Sequence, residues 1–297
     1  MSPSNPSSQP SNPITSQTIN VNIQQSLSRG LTGAIGSIPG TILAHPFDVT
    51  KIILQSGLAS NFRNSLPLAL KGPTGPYRGL TAGIKQKFIT RGPMFLLSDF
   101  FTQTLHVKTP LTLDQSVFFG SVLSGYSTGA LASLSEWSKV QSAVLPLSPS
   151  PLSPPPRPST ALSLLSRSLK SGRLPMLCSR VHAAGTRNAI FDCTFFTISS
   201  RLNAEHRASQ AGAYAKAAVA AVVVDYLFDA ACKRMMSVGP GGEVGGVWGE
   251  VWGLVGREGI RGAYRGVGVK AAEFAVSYGA TGMVAMKARK VWGGEEG

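Results

Sequence analysis

One pattern occurs three times in this sequence: an apolar run carrying small residues, closed by a short motif that holds an acid and a base. The first copy ends His45-Pro46-Phe47-Asp48-Val49-Thr50-Lys51 and continues to Gln55. The second reads Ser133-Leu134-Ser135-Glu136-Trp137-Ser138-Lys139. The third reads Tyr226-Leu227-Phe228-Asp229-Ala230-Ala231-Cys232-Lys233-Arg234. Pro46 lies 88 positions before Leu134, and Leu134 lies 93 before Leu227. Ten and six residues ahead of these three positions stand Gly36/Gly40, Ser124/Thr128 and Ala217/Ala221. Small residues four apart share a helix face and let two helices approach closely in lipid. A repeat at fixed spacing predicts like structural units packed side by side.

The runs belong to a chain that is short of charge. Charged residues make up 14% of the 297, against about 25% in an average soluble domain. Residues 30–47 and 115–135 hold no Asp, Glu, Lys or Arg, and each is about long enough to cross a bilayer. These two are the clear candidate spans. Other apolar segments are interrupted by charge, at Arg91 and Asp99, at Lys216 and Asp225, and at Glu273 and Lys287. Charged spans face a bundle interior or a wet cavity, because lipid does not accept them. The 28 Lys+Arg against 14 Asp+Glu give a net charge of +14, which suits anionic lipid or anionic solutes.

A second element follows the motifs. Tyr77-Arg78-Gly79 comes after the first, and Glu258-Gly259 with Tyr264-Arg265-Gly266 after the third. Ser171-Gly172 is the faint counterpart in the middle copy. Further helical runs follow at about 80–105, 180–203 and 267–290. The pattern is three units, each of two long helices with a shorter amphipathic segment between them. The boundaries are a disordered Ser/Pro/Asn-rich leader at 1–27, units at 28–108, 109–206 and 207–292, and a tail at 293–297. Residues 145–159 form a Pro-rich loop in the second unit. The glycine-rich stretch 239–246 reads as a flexible turn.

Together these motifs resemble the signature of the mitochondrial carrier family, which is Pro-x-acid-x-x-base on odd helices and an aromatic-Arg-Gly element before even ones. The resemblance covers residues 28–292 and is strongest in the first unit, where Pro46, Asp48, Lys51 and Gln55 all fit. It implies an all-α membrane fold of six transmembrane helices in three pseudo-symmetric two-helix repeats, with short amphipathic helices between. It implies a multi-pass protein of the inner mitochondrial membrane that moves a small metabolite by alternating access. A monomer that binds cardiolipin is the corresponding expectation for partners.

Pro46 should kink its helix by removing one backbone hydrogen bond. Asp48, Lys51 and Gln55 stand at i, i+3 and i+7 and share a face. By the family pattern Asp48 pairs with Lys139 and Asp229 with Lys51, closing a matrix-side gate that Gln55 braces. Glu136 faces position 232, which is Cys232, so Lys233 or Arg234 must substitute. Leu134 and Leu227 replace the kinking prolines, so those helices should be straighter. The opposite gate needs acids on even helices, and only Asp99 fits. Arg201, Lys287 and Arg289 remain as bases.

The family's substrate contacts fall on Gln86 and Lys87, on Glu273 and Phe274, and within Thr186-Arg187-Asn188. Arg91 and Lys270 are further candidates for the cavity lining. Both signs of charge suit a carboxylate with an additional amine. An Arg followed by Asn instead resembles the family's keto-acid pattern, so the class stays open between keto or carboxylic acid and amino acid. Cardiolipin candidates are Arg78, Gly79, Gly172, Gly259, Arg265 and Gly266, because free N–H groups at a helix start attract phosphate.

Other classes find little support. Cys178, Cys193 and Cys232 have no metal or disulfide spacing and read as reduced apolar fillers. There is no nucleophile elbow, phosphate loop or carboxylate dyad, so neither an enzyme nor a cofactor is expected. Nor does the basic excess cluster as nucleic-acid binding requires. The competing reading is a carrier-fold membrane protein without transport activity, acting as a scaffold or membrane-shape factor. The degenerate second unit and the missing acids favour it.

Overall fold

The computed structural model describes residues 17–71, 75–144, 161–170, 172, 174–204, 210–237 and 245–292. These are all-helical, with no strand among them. The long helices are α1 (Gln17–Gln55), α3 (Leu80–Lys108), α4 (Leu113–Val144), α6 (Leu174–Ala204), α7 (Gln210–Ser237) and α9 (Val267–Trp292). Shorter helices α2 (Phe62–Leu70), α5 (Ala161–Lys170) and α8 (Val247–Ala263) separate them, so the order long, short, long occurs three times. Each long helix packs against the next and α9 returns to α1, which closes a ring of six. Neighbours run antiparallel: a Cβ at Gly30 would meet Gly92 of α3, and one at Gly83 would meet His45.

Small residues set the spacing. A Cβ on Gly129 would overlap the Ala184 carbonyl oxygen, and one on Gly125 would lie 2.5 Å from that of Asn188. A Cβ on Gly40 would lie 2.7 Å from the Ser277 carbonyl oxygen. Ser124 and Thr128 are buried, and Ser124 Oγ donates to the Met94 carbonyl at 3.0 Å. Ala217 and Ala221 are fully buried at the α6–α7–α9 junction.

The polarity of the bundle is inverted. Asp48, Lys51, Glu136, Lys139, Asp229 and Glu273 are buried. Leu31, Leu43, Phe88, Phe119, Leu131 and Val224 are exposed. In water such a surface would be an aggregation hazard, whereas hydrocarbon makes it the favourable arrangement. The short helices are one-sided: Phe62, Leu66 and Leu70 stand out from α2, and Trp248, Trp252 and Ile260 from α8. Tryptophans with this exposure suit the level of lipid headgroups.

Several expectations change here. Helix α1 begins at Gln17, so residues 17–27, expected in the leader, are helical. No proline follows Pro13 until Pro39, and Ile19, Val21 and Ile23 allow the helix to extend backward. Among the described residues one helix, Leu113–Val144, is both long and apolar enough to cross a membrane by composition. Residues 30–47 miss that mark because Gly, Ser, Thr, His and Pro dilute their hydropathy. Pro46 sits inside an unbroken helix of 39 residues, and its carbonyl accepts from Thr50 Oγ1 at 2.8 Å. Helices α4 and α7 contain no proline. Cys232 is buried, but Cys178 is exposed and so is no filler. The Pro-rich loop at 145–159 and the tail at 293–297 lie outside the described residues, as does most of the glycine-rich stretch.

Candidate functional site

The motif ends of α1, α4 and α7 converge, and helical periodicity turns their charges inward. Lys139 Nζ donates to Asp48 Oδ2 at 2.8 Å, which is the pairing expected from the motifs. Lys51 lies 3.1 Å from Asp48 Oδ1 and 2.7 Å from Glu273 Oε2. Lys87 reaches the other oxygen of Glu273 at 3.7 Å. These five form one continuous chain of charge.

A second chain holds the rest. Glu136 Oε1 accepts from both Lys233 and Arg187. Arg187 Nη1 also lies 3.2 Å from Asp229 Oδ1. Lys270 lies 3.1 Å from Asp229 Oδ2 and 2.8 Å from Asp225 Oδ1. Gln55 Nε2 donates to Asp229 Oδ2 at 2.9 Å, so Gln55 braces the network from α1. All of these side chains are nearly out of contact with solvent, and a charge there is tolerable only when it is paired and hydrogen-bonded.

One expected pairing is corrected, and one substitution takes the form expected. Asp229 does not bridge to Lys51; Arg187 and Lys270 take it, and Lys51 goes to Asp48 and Glu273. The reason is local supply, since α6 and α9 offer closer partners than α1. Position 232 is a neutral, buried cysteine, and Lys233 substitutes for it at Glu136. Arg234 instead pairs with Glu258 and donates to the Gln55 carbonyl.

Above these pairs lies a cavity of about 70 Å³. Gln86, Lys87, Arg187, Asn188, Glu273 and Phe274 all line it, as the motif counting expected. Thr186 does not, because one residue on a helix turns the side chain by about 100°. Arg187 and Glu273 are not free to wait for a solute, since both belong to the charge chains. The Phe274 ring sits among three ammonium groups, with Lys87 Nζ 4.9 Å, Lys270 Nζ 5.5 Å and Lys51 Nζ 5.7 Å from its centre. Its π face adds some stabilisation to each cation.

Beyond the cavity the lining becomes aromatic. Phe191, Phe195, Tyr278 and Met94 pack with Ala217, Ala221 and Val222. Phe195 lies 4.8 Å from Tyr278 and 5.6 Å from Tyr214, centre to centre. Phe95 meets Phe196 edge-on at 5.7 Å. This cluster joins α3, α6, α7 and α9. Asp99 is half-buried and Arg201 is exposed. Lys287 and Arg289 lie on α9, with side chains outside the described set.

The lipid candidates divide. Gly79, Gly172, Gly259 and Gly266 all have positive φ, between 67° and 90°, a region that favours glycine. A Cβ at Gly172 or Gly259 would meet nothing within 4 Å. Arg265 is exposed. Arg78 is corrected: it is buried, and Nη2 donates to the Leu68 carbonyl of α2 at 2.7 Å. Its role is to hold α2 against the bundle. The flanking tyrosines repeat one device. His45 stacks on Tyr77 and bonds the Arg78 carbonyl at 3.0 Å. Tyr226 stacks on Tyr264 and donates to the Arg265 carbonyl.

Asp192 and Asp225 escaped the sequence reading, although both line the cavity. Their signal was available in register. Asp225 stands four residues before Asp229, and Asp192 four after Asn188, so each shares its neighbour's helix face.

No protein-family model matches the chain. It is 29% identical over 107 residues to the mitochondrial arginine transporter BAC2 of Arabidopsis thaliana. The match covers 35% of this chain and 36% of that protein, so it spans about a third of each. It bears out the resemblance to mitochondrial carriers found in the repeated motifs.

Proposed function

We propose that this chain is a divergent carrier-type transporter that moves a small metabolite across the inner mitochondrial membrane by alternating access. One observation carries the reading: a closed ring of six long helices with paired charges around a central cavity and large apolar side chains outside. In this reading the six long helices are six transmembrane spans in three two-helix repeats. The surface helices α2, α5 and α8 lie at the interface. Asp48–Lys139 and Glu136–Lys233 close the matrix side, with Asp229 held from α6 and α9. The solute is a keto or carboxylic acid or an amino acid. The arginine transporter among its relatives favours the amino acid. The protein acts as a monomer, and cardiolipin phosphates sit near Gly79, Gly172, Gly259 and Gly266, with Arg265 as a counter-charge.

The test is uptake into liposomes. Purified protein is reconstituted with cardiolipin, preloaded with unlabelled solute, and offered labelled amino acids, keto acids, dicarboxylates and nucleotides. Saturable counter-exchange of one class supports the reading, and no uptake of any solute by a folded, inserted protein refutes it. A second reading has one specific observation in its favour. Among the described residues, aromatic rings of α6, α7 and α9 pack together in the outer half, which suits a carrier-fold scaffold that does not cycle. Silence in the uptake assay with intact cardiolipin stabilisation would select it.

A further inference from the structure

The two charge chains take up eleven ionic side chains of the bundle interior, and two groups in the same cavity stand outside both. Arg91 of α3 is 3% exposed, and its Nη1 has no hydrogen-bond partner. Asp192 of α6 is 3% exposed, and its Oδ2 has none either. Both line the cavity, and neither joins any of the ion pairs described above. The guanidinium carbon of Arg91 lies 3.4 Å from the centre of the Tyr278 ring, so the ring fixes its position. Gln86, five residues before Arg91 on α3, also lines the cavity and carries an unpartnered Oε1.

Buried charges of opposite sign in one cavity would be expected to meet, because an unpaired buried ion is costly. These two share a cavity without touching. The arrangement is what a ligand with its own separated charges would complete. A planar guanidinium suits a carboxylate, which it can bind through two parallel bonds. A carboxylate with a free oxygen suits an ammonium or guanidinium. We infer that Arg91 and Asp192 form a two-charge subsite for a zwitterionic amino acid, Arg91 taking its carboxylate and Asp192 its cationic group. A keto acid would satisfy Arg91 and leave Asp192 stranded. A polyamine would do the reverse. The pair therefore selects between the two solute classes that the motif contacts leave open.

The inference rests on the transporter reading only in taking the cavity as a solute site. Its test is binding, measured by thermal shift on the full-length detergent-solubilised protein, alongside uptake in liposomes. The probes are L-arginine, L-alanine with pyruvate, and L-glutamate with 2-oxoglutarate. At least one amino acid should raise the melting temperature, and the matching keto acid should not. For that amino acid, Asp192→Asn and Arg91→Gln should each weaken affinity at least about tenfold. Asp192→Asn should also melt no lower than the parent without ligand, since it removes a carboxylate oxygen that has no hydrogen-bond partner. A purely structural pair would lower the unliganded melting temperature instead.

Equal stabilisation by keto and amino acids overturns the inference, as does an affinity change below twofold in Asp192→Asn. Should a variant fail to fold, the keto-against-amino comparison on the parent decides. Amino-acid binding without uptake would refute transport and leave the subsite standing. Uptake of keto acids alone would do the opposite. Silence in both assays would refute both.

Discussion

Toward the C-terminal ends of α1, α4 and α7 the bundle interior is ionic, and a few turns away it is aromatic. In the ionic half Asp48, Glu136, Asp229 and Glu273 each face two or more cations, as Asp48 does Lys51 and Lys139. In the aromatic half Phe191, Phe195 and Tyr278 touch rings from α6, α7 and α9 without any partner rule. The difference lies in what each half tolerates. An ion pair is specific: remove one member and the other is left desolvated and uncompensated. Ring packing is forgiving, because contact area rather than identity sets its strength. Ion pairs can also exchange partners when water enters, whereas a ring cluster must separate as a body.

Four changes would break or sharpen that contrast. The largest effect should come from Glu136→Gln. It is nearly isosteric, yet it leaves Lys233 and Arg187 with one less negative charge between them. A loss of about 3–5 kcal/mol is expected, read as a clear drop in detergent melting temperature. Next comes the Asp48–Lys139 pair. Lys139→Asp should impair transport, and Asp48→Lys in the same chain should partly restore it, with a coupling of about 0.5–3 kcal/mol. Failure to restore activity at equal membrane insertion would remove that bridge from the gate.

Phe195→Leu tests the other half. The change keeps an apolar side chain in a fully buried place and should cost less than about 1.5 kcal/mol. A larger loss than Glu136→Gln would invert the comparison. The smallest effect belongs to Arg265→Ala. Its side chain is exposed, so unliganded stability should stay within about 0.5 kcal/mol of the parent. The melting-temperature gain on adding cardiolipin should shrink, and an unchanged gain would exclude Arg265 from the lipid contact.

Much of the architecture was legible because it rests on periodicity. Offsets such as Gly36/Gly40 and Ser124/Thr128 mark the same helix faces in successive runs, and those faces are buried. The Asp48–Lys139 contact was readable because Asp48 sits in the full first copy of the motif and Lys139 keeps the basic position of the second. The partners of Asp229 were not, because they come from even helices. Arg187 lies on α6, whose start has no Tyr-Arg-Gly anchor to fix its register, so counting could only bracket it with Thr186 and Asn188. The aromatic closure was hidden for a different reason. The motif marks an acid, and where acids are missing the sequence gives no sign of what replaces them. Phe, Tyr and Met spread over four helices become a cluster only after folding.

The tryptophans of α8 carry one last consequence, which is optical. The sequence has four: Trp137, Trp248, Trp252 and Trp292. Trp137 is buried, with the Arg180 guanidinium 4.0 Å above its ring. Trp248 and Trp252 project outward from α8. Intrinsic emission thus mixes a shielded source with a pair at the surface. Acyl chains brominated at graded depths should quench the outer pair most strongly near the headgroups. Trp248→Phe with Trp252→Phe should remove most of that quenching, which turns α8 into a built-in gauge of how deep the bundle sits.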